Sequence, residues 1–238
     1  MKYSYEFTME NNFAVLAEAF INDQFRNVDF NKTNADADAV LKLVSDKAWN
    51  DAMSYVRKTE FRNVSNEKAF EKIKNYVNNK KIPENYATEK IPDMDGMPEN
   101  MKLGVWQKYA SMVFKYLYCI QLMNIKTEFV WFDLDEYKKC KCPVDRLIAR
   151  SVFALLPFDK KEERALAWFL SGNSPESDKY KTVCWNKISP DEYQLFQKSV
   201  AGLCESFKLI PIQFDLIFWE SPNILDKESM KKYRNSPK

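Results

Sequence analysis

The chain has 238 residues, of which 45% are hydrophobic and 29% charged, and its formal net charge is +2. That length supports one sizeable core or two small lobes, and that composition excludes a disordered chain. The small net charge does not announce a nucleic-acid partner, and the absence of histidine excludes a Ser-His-Asp triad, a Cys-His pair and any His-ligated zinc or haem. A general acid or base must therefore be Asp, Glu, Lys, Tyr or Cys.

The chain opens with alternating apolar and polar residues in KYSYEF (2–7), which predicts a short N-terminal strand. Helical apolar spacing follows at 13–23, at 37–58 and at 66–79. Residues 80–100 carry three prolines and one glycine, which marks a loop or linker between two lobes. A long apolar helix is expected over about 104–123. The aromatic run at 127–134 fits a short strand or an extended connector. A helix from Pro143 to Leu155 would hold the proline in its first turn. Residues 159–173 read as a helix with an Asp cap and a Gly stop. Ser-Pro-Asp-Glu opens another at 189–208, and a last short helix spans 211–221. The tail 222–238 is polar and expected to fray. With only four glycines and no internal repeat, the chain reads as mainly α, helices joined by short loops with a linker near 80–100.

Charge is concentrated locally. Residues 101–150 hold nine Lys/Arg against five Asp/Glu, a balance that suits a phosphate-facing surface or a solvated basic face. The five cysteines, Cys119, Cys140, Cys142, Cys184 and Cys204, are odd in number and irregularly spaced. With no signal peptide, they predict reduced thiols and a cytoplasmic protein. Cys140 and Cys142 lack the further cysteines a zinc or iron–sulfur site needs nearby, so they read as structural and no metal site is expected there. No uncharged apolar run reaches about 18 residues, so no membrane span is expected.

Two lysines interrupt the long apolar helix, Lys108 and Lys115. Seven residues apart, they lie on one helical face. Crowded like charges would discourage protonation of one of them, as a lysine nucleophile requires; alternatively, both snorkel to solvent. Asp145, at the start of its helix, would stay ionised beside the free N–H groups and could stabilise positive charge on a sugar, or simply cap the helix. Asp215 and Trp219, four apart, could hold a purine between a carboxylate and an indole, or be a surface acid and a core ring. Arg146 and Arg150 could contact phosphates or pair with acids. Trp131, Trp168 and Trp185 read as core or lobe-interface rings, and Glu162 and Glu163 as part of a solvated helix face.

LGVWQKYA (103–110) resembles the hairpin of helix-hairpin-helix DNA glycosylases, roughly h-P-G-V-G-x-K-x-A. Gly104, Val105, Lys108 and Ala110 match, whereas Trp106 replaces the second glycine. CPVDRLIARSV (142–152) resembles the family's Pro-Val-Asp helix start through Pro143 and Asp145. The Lys108/Lys115 pair and LIPIQFDLIFW (209–219), with Asp215 and Trp219, resemble the archaeal 8-oxoguanine glycosylase branch. The resemblance implies a two-lobed helix-hairpin-helix fold. It implies an all-α, single-domain enzyme acting on double-stranded DNA without a metal or organic cofactor, with Lys108 as nucleophile and Asp145 as its catalytic partner; a monomer is expected. Lys115, Asp215, Trp219 and Pro143 would hold the extruded base, while Gly104, Arg146 and Arg150 would hold DNA. The remaining alternatives are another modified base, a DNA- or partner-binding protein on the same fold without turnover, or a helical interaction protein whose motif matches are coincidental.

Overall fold

Apolar spacing near 3.6 residues builds eight α-helices among the described residues. The computed structural model describes residues 9–26, 28, 30, 36–54, 56, 64–123, 129–172 and 184–220, leaving aside the side chains of 9–12, 219 and 220. The helices are α1 (Met9–Gln24), α2 (Ala37–Met53), α3 (Glu67–Asn78), α4 (Glu99–Leu122), α5 (Arg146–Leu155), α6 (Lys161–Leu170), α7 (Pro190–Phe207) and α8 (Pro211–Glu220). Short 3-10 turns cover Leu134–Lys139 and Trp185–Lys187. The described residues are all-helical with no strand. Residues 2–7, where a strand was expected, and the tail 222–238 lie outside the described residues. No helix is long and apolar enough among the described residues to cross a membrane.

The architecture turns on α4. Every residue from Leu103 to Ile120 is buried, as expected of a helix that is apolar on all sides. Helices α1 and α2 pack against it, and the Trp185–Lys187 turn lies across it. Helix α3 contributes Tyr76, whose ring lies 6.4 Å from that of Phe114. Helices α5 to α8 pack among themselves, and α8 reaches back to α1.

Several local expectations are corrected. Helix α4 runs unbroken through Gly104 from Glu99, so the hairpin expected at 103–110 is a continuous helix. Trp106, in place of the hairpin's second glycine, is fully buried, and its indole N–H donates to the Tyr86 carbonyl at 2.8 Å. Pro143 is not in a first turn. It is buried two residues before Asp145, which is the N-cap of α5. The cap residue of α6 is Lys160 rather than an aspartate, although Gly172 ends the segment at φ +86° as expected. Arg164 departs from the solvated face around it. It turns inward between the rings of Phe153 and Phe158 and donates to the carbonyls of Phe153 and Leu156 at the end of α5. A cation at a helix C-terminus satisfies orphan carbonyls and complements the dipole. By contrast, Ser189 forms the full capping box with Glu192 that the sequence predicts.

Gly104 has a packing role. A Cβ built there would lie 2.5 Å from the Trp185 carbonyl oxygen and 2.6 Å from the Asn186 backbone. Only a bare Cα lets that turn rest on α4. Gly104→Ala should therefore destabilise by about 1–3 kcal/mol through overpacking, against a helix-propensity gain of up to about 1 kcal/mol. Urea unfolding of native and variant protein measures the balance; a more stable variant would contradict the contact.

Candidate functional site

Two of the sequence's candidates meet in one cleft. Lys108 and Asp145, 37 positions apart in the chain, both line a cavity of about 220 Å³. Asp51, Ser54, Met112, Arg146, Leu147 and Trp185 complete its wall. Lys108 is only 8% exposed. Its Nζ lies 4.5 Å from the centre of the Trp185 ring, where the π face attracts a cation. Asp145 caps α5: its Oδ1 accepts from the N–H groups of Leu147 and Ile148 at 2.9 and 3.0 Å. The cap thus exists, and it holds the carboxylate at the cleft wall opposite α4. Arg146 and Arg150 are exposed on α5, and Arg146 joins the wall.

Lys115 and Asp215 occupy a different environment. They meet as an ion pair at 2.8 Å, each side chain 1% exposed, outside the cleft lining. Lys115 Nζ also lies 4.1 Å from the centre of the Phe20 ring. Burial raises the Asp215 carboxyl above its ordinary range; Lys115 opposes that shift, Asp145 adds to it and Lys108 opposes it weakly. The four charged groups are therefore close enough to act as one electrostatic cluster. Asp215 Oδ1 is buried without a hydrogen-bond partner among the described residues. Trp219 lies on α8, but its side chain falls outside the described residues.

The glycine of the motif is placed differently from the expectation. Gly104 is buried in mid-helix beneath the Trp185–Lys187 turn, so its backbone is not presented to a phosphate. Pro143 is likewise buried, and does not line the cleft.

Sequence reasoning missed three contributors. Asp51, on α2, lines the opposite wall and is held by Lys47 at 2.7 Å and by the Tyr116 hydroxyl, which donates at 2.8 Å. Trp185, read as a core or interface ring, covers Lys108 from the cleft side. Gln107 is fully buried and bonded to the backbone at Val144, between the two halves of the site. None of these carries a local motif; each is set by tertiary contact alone.

Cys140 and Cys142 are fully buried, and burial pushes both thiols well above their ordinary range, so they stay protonated. Among the described residues no group of three or more His, Cys, Asp or Glu side chains is placed to hold a metal ion. No protein-family model, curated protein or solved structure matches this chain.

Removing one member of a buried ion pair leaves an uncompensated charge and costs about 3–5 kcal/mol, whereas an apolar pair of similar volume is often neutral or better. Lys115→Met should accordingly lose that much stability, and Lys115→Met with Asp215→Leu should recover most of it. Asp215 is already raised in the native protein, so the single variant should lose stability more steeply than native as pH rises. Without Lys115 nothing nearby offsets most of the burial effect on Asp215, so its folded pKa stays above the unfolded value. The folded state then retains a proton that the unfolded chain releases. Stability is full below the unfolded pKa and falls as pH rises through the folded one. Urea titrations from about pH 4 to 8 measure this; a profile no steeper than native would contradict it.

Proposed function

We propose that this chain is a DNA base-excision glycosylase with AP-lyase activity, acting on a damaged purine, 8-oxoguanine first, on a two-lobed variant of the helix-hairpin-helix glycosylase fold in which continuous helix replaces the hairpin at 103–110. The observation that carries the reading is the meeting of Lys108 and Asp145 in one cleft. The two come from separate motifs 37 positions apart and line the same cleft.

The chemistry follows from the groups present. In its neutral form Lys108 attacks C1′ of an extruded nucleotide. A C–N bond forms, the glycosidic bond breaks, and its electron pair leaves with the base, which takes up a proton. Asp145 stabilises positive charge on the sugar and relays protons. The nitrogen lone pair then opens the C1′–O4′ bond, O4′ taking up a proton, to give a Schiff base; loss of a C2′ proton with cleavage of the C3′–O bond (β-elimination) expels the 3′ phosphate and nicks the strand. A cleft of about 220 Å³ is smaller than the roughly 300–1,000 Å³ of pockets for drug-sized ligands, in keeping with a single base. Asp215 offers an unfilled acceptor for a purine N–H, although the Lys115–Asp215 pair must open towards the cleft to use it. Arg146, exposed and in the cleft wall, and Arg150, exposed four residues further along α5, suit phosphates.

Borohydride trapping on duplex DNA carrying one 8-oxoguanine tests the reading, with native protein and Lys108→Gln in parallel. A covalent adduct from native protein alone is expected. An adduct surviving Lys108→Gln would move the nucleophile to another lysine. DNA binding with neither adduct nor base release, across a panel of modified bases, would leave a non-catalytic binder in its place.

A further inference from the structure

Capping fixes Asp145 relative to α5, but leaves open how α5 is held against α4. Residues 140–145 precede α5 without regular structure, and three side chains pin them. The Lys141 N–H donates to the Tyr86 hydroxyl at 3.1 Å. The Cys142 carbonyl accepts from the Gln197 amide at 2.7 Å. The Val144 N–H donates to Gln107 Oε1 at 3.1 Å, and Gln107 Nε2 approaches the Val144 carbonyl at 3.5 Å. The same Nε2 donates to the Gly104 carbonyl at 3.0 Å, which fixes the amide's orientation on its own helix. Gln107 precedes Lys108 and Val144 precedes Asp145. The amide therefore joins α4 to the Asp145 segment one residue from each of the two groups.

Building on the proposed glycosylase reading, we propose that Gln107 is a positioning residue: its side-chain amide sets the register between Lys108 and Asp145. A primary amide suits the task because it accepts from one backbone group and donates to another, as a neighbouring strand would. Glutamate keeps the acceptor for the Val144 N–H and loses the donor. Leucine has neither, and leaves a buried N–H unpaired. Small misplacement of reacting groups, of about 1 Å, can cost on the order of 100-fold in rate.

Native protein, Gln107→Glu and Gln107→Leu are compared by single-turnover base release and borohydride trapping on the 8-oxoguanine duplex, with duplex affinity and thermal unfolding measured alongside. Gln107→Leu should lose about 10- to 100-fold in single-turnover rate with duplex affinity within about twofold of native. Gln107→Glu should fall between. A Gln107→Leu rate within about twofold of native would overturn the proposal. So would a parallel loss of rate, affinity and folded protein in both variants, which would mark the amide as structural only. No adduct and no base release from native protein would instead defeat the glycosylase reading, and the positioning role with it.

Discussion

Lys115 and Asp215 join the middle of α4 to the last described helix at 2.8 Å, closed to solvent. The rest of the arrangement depends on that contact. A helix buried on all sides has no polar stripe to say which face meets which neighbour, and apolar packing tolerates many rotations. A buried cation does not, because losing its partner costs several kcal/mol. Once Lys115 is aimed at Asp215, Lys108 two turns earlier points along the same side of α4. The cleft then forms where α2, the start of α5 and the Trp185 turn come to that side.

The same demand explains the polar seam along α4. Gly104, the adjacent Gln107 and Lys108, Ser111 and Lys115 fall along one side of the helix, successive turns three or four residues apart, and all are buried. Gly104 admits the backbone of residues 185 and 186. Gln107 binds the segment before α5. Lys108 meets the Trp185 ring, and Ser111 bonds the Tyr86 hydroxyl at 2.8 Å. Buried polar groups must be partnered, so each one draws a distant piece of chain onto the helix. Connectors with little regular structure of their own are thereby fixed around α4.

Periodic features were legible in the sequence and long-range ones were not. The eight helices follow from apolar spacing, and the Ser189 capping box and the Asp145 cap are local chemistry. The shared face of Lys108 and Lys115 follows from helical geometry alone. The start of α4 was misplaced because glycine reads as a helix boundary. Gly104 instead answers to residues 185–186, 81 positions away, and no local pattern records such a contact. Lys115 pairs with Asp215, 100 positions beyond it, and no local pattern records that partner either. Asp51, Gln107 and Trp185 were unreadable because an ordinary amphipathic or aromatic residue becomes part of a site only through what is packed opposite.

Charge is distributed by depth. Inside, Lys115 is balanced by Asp215, and that buried pair carries no net formal charge. Outside, Arg146 and Arg150 stand exposed on α5. A dry interior disfavours any net charge far more than water does. A balanced pair can therefore admit a neutral, flat, hydrogen-bonding group, while a phosphate keeps its water and its arginines at the rim. The proposed chemistry needs that division, because a nucleobase must be separated from the stack while its backbone stays outside. A small net charge for the whole chain is compatible with it: the field that matters is the local difference between rim and interior.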